Sequence, residues 1–418
     1  MPTILRAKFV APVATPLIED GFVATEGVRI TSVGRYAERP AGEVEDLGDV
    51  VLLPGLVNAH THLELSHAAR GEPPASFGAW LQKIATRRGT LTLDEYAAAV
   101  AAATRDGAAE CLRVGVTAVG DISRECRTTR SALQHSPLSV VSFGEVQALA
   151  QRRVLLEERL AAAIDASFAS DHLTIGISPH APYTVEPHPY ERCVAAARER
   201  GLPICTHLAE SLEETLFLHE QTGPLRELWE TFGTWDEHVP RWPGSPVELA
   251  KATGLLDVAA LLAHVNYPSD ADLDTLAASN ATVVWCPRTH AYFGHAPHRW
   301  REMLARGINV CVGTDSRASA PDLNVVDDLR LVRRQSPEVA VETLWEMVTT
   351  RAARGLRRSD VGAIAPGMRA DLVAFPVRGD QPLREVLETA VLPSAVIIGG
   401  ERHSPSPPYP GESAAVRG

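Results

Sequence analysis

The chain predicts an α/β protein built on a closed (β/α)8 barrel of the TIM type, with a small β-sandwich formed by its two ends. From about residue 54 to 355, short apolar runs alternate with longer helical stretches, the pattern of a parallel sheet with crossover helices. Candidate strands fall at 116–120, 139–145, 174–179, 203–206, 260–263, 282–285 and 309–314, and the run Val50-Val51-Leu52-Leu53 makes eight. Five of these runs lead into residues suited to holding a cation or moving a proton: His60 and His62, His180, His207, His264 and Asp315. Barrels of this type gather such groups at the C-terminal strand ends. An open doubly wound sheet is the competing architecture, but no G-x-G-x-x-G phosphate loop follows the first strand.

Residues 1–53 contain Val- and Ile-rich runs separated by Gly, Pro and acidic residues, which predict the first part of the sandwich. The barrel is expected over 54–355, the second part of the sandwich over 356–403, and a mobile Pro- and Ser-rich tail over 404–418. Within the barrel, the Ala-rich stretch Tyr96 to Arg113 predicts a helix ahead of the strand at 116.

Composition narrows the function. A formal charge of −12 argues against a nucleic-acid or anionic-membrane surface, because phosphate binding needs clustered Lys and Arg. A small neutral or cationic substrate fits better. The six cysteines show no Cys-x-x-Cys pair and lie mostly in apolar runs, so they read as reduced thiols of a cytoplasmic protein. The N-terminus has no apolar leader, and no run of about 20 apolar residues occurs, so neither export nor membrane insertion is expected.

The pentad Asn58-Ala59-His60-Thr61-His62 places two imidazoles two residues apart, on one face of an extended chain. With His207 and Asp315 they offer three nitrogens and one oxygen, donors that zinc and its neighbours accept while leaving a position for water. Glu210 lies three residues past His207, within reach of the same water if a helix starts there. Glu213 and Glu214 read as exposed first-turn glutamates favoured by the helix dipole. His264 is either a fifth ligand or a hydrogen-bond partner.

The order of these motifs resembles the amidohydrolase superfamily, and within it the aminohydrolase branch of purine-type deaminases and triazine chlorohydrolases. The matching pieces are Pro54-Gly55-Leu56-Val57-Asn58-Ala59-His60-Thr61-His62, Ser178-Pro179-His180-Ala181-Pro182-Tyr183, Thr206-His207-Leu208-Ala209-Glu210, Gly313-Thr314-Asp315-Ser316 and Pro366-Gly367-Met368-Arg369-Ala370-Asp371-Leu372-Val373. The resemblance implies His60, His62, His207 and Asp315 as ligands of one divalent metal, Zn2+ first and Fe2+ as the alternative. It further implies Glu210 as the proton shuttle and His264, with Asp315, beside the attacking water. Binuclear members bridge two metals with a carboxylated lysine at a strand end. Here the lysines are Lys8, Lys83 and Lys251, none of which follows a barrel-strand run, so one metal is expected.

For the substrate, Trp80 corresponds to an aromatic that packs on the base in several relatives, and His180 to a residue contacting the sugar or ring. The segment Cys286-Pro287-Arg288-Thr289-His290 departs from the Cys-Pro-x-Ser-Asn usual in the deaminases. Arg288 and His290, with Tyr292 and His295, either line a pocket that reads a carboxylate or ribose, or pack on one another. Glu145, ending the third strand, is a further polar candidate. The resemblance therefore implies a deaminase of an adenine nucleoside, and His-Thr-His-Leu-Glu followed by Phe-Gly-Ala-Trp-Leu puts aminodeoxyfutalosine, of an alternative menaquinone route, ahead of methylthioadenosine and S-adenosylhomocysteine. A hydrolytic dechlorinase or cyclic amidase is the nearest competitor, and a non-catalytic scaffold the distant one. Relatives are often dimers, so a homo-oligomer is expected.

Overall fold

A computed structural model describes residues 1–403, so the tail expected to be mobile lies outside the described residues. The strands, in chain order, are β1 (Thr3–Val10), β2 (Ile18–Glu26), β3 (Arg29–Arg35), β4 (Glu43–Asp46), β5 (Val50–Pro54), β6 (Leu56–Thr61), β7 (Val116–Ser123) and β8 (Ser139–Val146). They continue with β9 (Leu173–Pro179), β10 (Cys205–Leu208), β11 (Leu261–His264), β12 (Thr282–Trp285), β13 (Asn309–Val312), β14 (Leu372–Pro376), β15 (Ala395–Ile398) and β16 (Glu401–His403).

The two ends of the chain meet in one mixed sheet of order β16-β15-β14-β5-β1-β2-β3, with β4 beside β1. β14 pairs antiparallel with β5, so a C-terminal strand lies beside an N-terminal one. The run Val50–Leu53 corrects the sequence reading. It does not carry His60 and His62 but belongs to β5 of this mixed sheet, and the strand that delivers the histidines is β6. Pro54 ends one strand and Gly55 alone separates it from the next, which belongs to a different sheet. A Cβ on Gly55 would sit 2.1 Å from Thr117 Oγ1, so only glycine lets the chain cross there.

The remaining strands are parallel. β6-β7-β8-β9 form one four-stranded sheet and β10-β11-β12-β13 another. Single parallel bridges link their edges, Ile177 to Ile204 on one side and Thr61 to Asp315 on the other. All residues of β6, β7 and β8 are buried, as strands covered on both faces must be. The second bridge is close because Gly313 packs against His60: a Cβ there would meet the His60 backbone at 2.8 Å. Asn58 reinforces it, donating to Thr314 Oγ1 at 2.7 Å and accepting from the Thr314 amide at 3.0 Å. The expected Ala-rich helix runs Leu93–Arg113 and starts on a Thr92–Glu95 capping box. No helix among the described residues is long and apolar enough to cross a membrane.

Candidate metal centre and pocket

At the C-terminal ends of the parallel strands the backbone leaves its regular conformations. Ala209, His264, Val265 and Asp315 all have positive φ, from 48° to 73°, although none is glycine. Left-handed backbone costs an L-residue energy and persists only where its surroundings enforce it, and two of these residues, His264 and Asp315, bring their side chains together with His60.

There the imidazoles of His60, His62 and His207 each place a nitrogen within 4.8 Å of the others, and His60, His264 and Asp315 do likewise. His207 Nδ1 donates to the His180 carbonyl at 2.9 Å, which fixes the tautomer and leaves Nε2 as a lone-pair donor. That Nε2 faces His62 Nε2 at 3.3 Å. The carboxylate of Asp315 lies 3.7 Å from His62 Nε2 and 3.9 Å from His60 Nε2, held by the Ser316 amide and the Ser319 hydroxyl. His60 is wholly buried, yet neither of its ring nitrogens has a hydrogen-bond partner, and His264 Nε2 has none either. Buried polar atoms are normally paired, so this cluster of orphans fits a cation with nitrogen and oxygen ligands. Burial, and then the neighbouring rings, hold His60, His62 and His264 well below the usual imidazole value, and burial lowers His207 to about 3, so the rings are neutral and ready to bind. Burial pushes Asp315 up to about 7 in the absence of an opposing charge.

Glu210 lies beside this group. Its Oε2 accepts from the Tyr183 hydroxyl at 2.8 Å, and its Oε1 is 3.3 Å from His264 Nε2. Burial, reinforced by the Asp315 charge, raises its carboxyl well above the ordinary range. Glu213 and Glu214 depart from the sequence reading. Glu214 is fully buried, and Glu213 accepts the amides of Phe77 and Gly78, anchoring the start of the helix Phe77–Ala85. Both lie in the first turn of the helix Leu212–Glu220, where a sequence alone cannot say whether the facing element is water or protein.

A cavity of about 130 Å³ opens over the centre. Trp80 and His180 line it, as does Glu145. Trp80 stacks on Phe77 and donates weakly to the Ala318 carbonyl at 3.4 Å, while His180 Nδ1 pairs with Thr184 Oγ1 at 2.7 Å. Arg288 and His290 are not brought there. Arg288 spends its guanidinium on Asp328 at 2.9 Å, Asp322 at 2.7 Å and two carbonyls, and His290 Nδ1 pairs with Asn266 Oδ1 at 3.0 Å. Sequence reasoning missed Arg124 and Arg152, which do line the cavity. Arg152 lies over Trp229 and Phe232, 5.1 and 5.3 Å from the ring centres, and forms no ion pair among the described residues. The Arg124 Nε is buried without a hydrogen-bond partner, 4.0 Å from a Glu125 carboxylate oxygen. Glu64, raised to about 8 by burial and then Glu145, accepts the amides of Arg124 and Glu125.

Comparison with known proteins bears on this site. Residues 51–402 match the amidohydrolase family. A 5-methylthioadenosine/S-adenosylhomocysteine deaminase of Nitratidesulfovibrio vulgaris is 30% identical over 379 residues, covering 86% of this chain and 80% of the relative. Helicobacter pylori aminofutalosine deaminase, solved with methylthio-coformycin, superposes with a TM-score of 0.85 at 23% identity over 96% of this chain and all of the other. Arthrobacter aurescens atrazine chlorohydrolase, solved with zinc, gives 0.82 at 19% identity over 96% and 94%. The two structural likenesses speak to the fold.

Proposed function

The chain belongs to the amidohydrolase family, and on that premise we propose that it is a metal-dependent hydrolase that deaminates an adenine-type nucleoside, releasing ammonia. The observation that carries the reading is the buried, unpartnered His60 ring among His62, His207 and Asp315, with the Glu210 carboxyl beside it. Those four residues would hold one divalent ion, Zn2+ before Fe2+, and a bound ion would act as a Lewis acid that lowers the pKa of water toward neutrality.

The chain's own groups do the rest. Glu210, whose raised carboxyl suits it to exchange protons near neutral pH, takes one from the attacking water at Oε1 and passes it to the ring nitrogen beside the amino-bearing carbon. The new carbon–oxygen bond forms as the ring C=N becomes C–N. Tyr183 fixes the other oxygen of Glu210, and His264 orients the attacking oxygen from its free Nε2. The second proton of that water, moved from the new C–OH to the exocyclic nitrogen by Glu210, lets the carbon–nitrogen bond break as C–O becomes C=O, and ammonia leaves. Trp80 and His180 bound the base and sugar.

The far end of the cavity favours a particular nucleoside. Arg152 without an ion pair, near Arg124 and over two aromatic rings, suits an anionic group on the substrate's tail. Aminodeoxyfutalosine and S-adenosylhomocysteine carry a carboxylate and methylthioadenosine does not, so the first two rank above the third. Chloride leaves without a proton, so the Glu210 arrangement favours an amino leaving group over dechlorination. The reading also takes the eight parallel strands as a closed (β/α)8 barrel over 54–355. Segments 1–53 and 356–403 form the sandwich around buried Leu5, Val23, Leu52 and Leu372. It takes the enzyme as a cytoplasmic homo-oligomer, in keeping with six buried free thiols. Ammonia release from a panel of these nucleosides and a chlorotriazine, by wild type and Glu210→Gln, tests it. Turnover of the nucleosides that vanishes in the variant is expected, and chloride release without ammonia overturns it.

A further inference from the structure

The turn that presents Glu210 is held in an unusual way. Ala209 has φ +48°, so the chain reverses immediately before the glutamate. All four backbone polar groups of Ala209 and Glu210 are bonded by just two residues, Glu214 one turn further along the chain and Asn266 from the far side of the next strand. On one side the buried carboxylate of Glu214 accepts the Ala209 amide at 3.1 Å and the Glu210 amide at 2.7 Å. On the other, the Asn266 amide donates to the Ala209 carbonyl at 2.9 Å, and Asn266 Nδ2 donates to the Glu210 carbonyl at 2.9 Å. Asn266 is itself oriented. Its Oδ1 faces His290 Nδ1 at 3.0 Å, which leaves the amide nitrogen pointing at Glu210.

We infer that Glu214 and Asn266 are positioning residues for Glu210, clamping the Ala209–Glu210 dipeptide so that its carboxylate stays between Tyr183 and His264. The inference rests on the role given to Glu210 above. It also gives His290 a place, behind Asn266 and outside the pocket. A backbone held at every polar group cannot shift to relieve the left-handed Ala209, and a displacement of about 1 Å at a catalytic group costs about 100-fold in rate. The clamp acts on the proton carrier alone: neither Glu214 nor Asn266 contributes an atom to the His60–His62–His207–Asp315 group.

The test uses Glu214→Ala and Asn266→Asp, the latter nearly isosteric but turning an acceptor toward the Glu210 carbonyl. Each is expected to lower kcat by about 10- to 100-fold with KM within about threefold of wild type and metal content unchanged. Placed in a Glu210→Gln background, each should add less than a twofold further loss, because its effect passes through Glu210. Hydrogen exchange at the Ala209 and Glu210 amides should rise at least tenfold in Glu214→Ala while the β7 and β8 amides keep their protection. Unchanged exchange, or an equal loss of kcat in both backgrounds, overturns the inference, as does loss of metal. If Glu210→Gln retains full turnover, the proton-shuttle reading fails instead, and the exchange result still decides whether the clamp exists.

Discussion

Two clusters of buried ionisable side chains lie within one or two turns of the same strand ends, and they are built to opposite standards. Around Arg288 every guanidinium nitrogen is bonded: Asp328 takes Nε, Asp322 takes Nη1, the carbonyls of Asp322 and Asn324 take Nη2, and the Arg288 amide caps Asp328 as well. Around His60 the same kind of residue is left unmatched, with both nitrogens of one ring and one of His264 unpaired. Burying an unpaired polar group is costly, and a cluster of such groups around donor atoms suited to a cation fits completion by an ion. Residue type does not separate structural charge from working charge, but satisfaction does.

The contrast breaks most sharply at the metal centre. His207→Ala is expected to lose bound metal and activity together, measured by elemental analysis and ammonia release. Glu210→Gln should keep the metal and lose turnover by about 1000-fold or more, the scale of general acid–base catalysis acting on activated water. Metal lost in that variant would make Glu210 a ligand.

The satisfied cluster should respond in stability, not rate. Arg288→Met strands Asp328 in the interior and is expected to cost about 3–5 kcal/mol in denaturant unfolding at neutral pH. Asp328 is already raised from 3.8 to about 6, by burial against the pull of Arg288. A carboxyl raised in the folded state contributes stability that is present below 3.8 and lost as pH climbs through its folded value. Without Arg288 that value moves higher still, so the variant's deficit should be smaller at pH 5 than at pH 8. A deficit independent of pH would mean that Asp328 finds another cation.

Smaller effects sharpen the substrate end. Arg152→Met should lower kcat/KM for a carboxylate-bearing adenine nucleoside by about 10- to 100-fold, the worth of one charged hydrogen bond, and leave methylthioadenosine within about twofold. Equal losses on both would remove the anion preference.

Much of the centre was legible in the sequence because each candidate ligand follows an apolar run. His60, His62, His207, His264 and Asp315 announce themselves as polar ends of buried strands, and the structure brings all five together with Glu210. Trp80 and His180 were legible by resemblance, and they line the cavity. Arg288 and His290 were not, because a donor-rich loop does not reveal whether its donors are already spent on Asp322, Asp328 and Asn266. Asn266 and Arg152 stayed hidden because their meaning depends on partners across the fold, and Glu214 because the periodic pattern of a helix carries no trace of a side chain that folds back on the preceding turn. The misplaced first strand has a local cause, since two hydrophobic strands of different sheets abut at Pro54-Gly55 with no polar loop between them.

The most direct trial is the metal content of protein purified without added metal, wild type beside His60→Ala. One equivalent of zinc or iron per chain in the wild type and none in the variant is the expected result. A metal-free wild type that still releases ammonia would contradict the account, because the unpaired nitrogens of His60 would then have nothing to complete them.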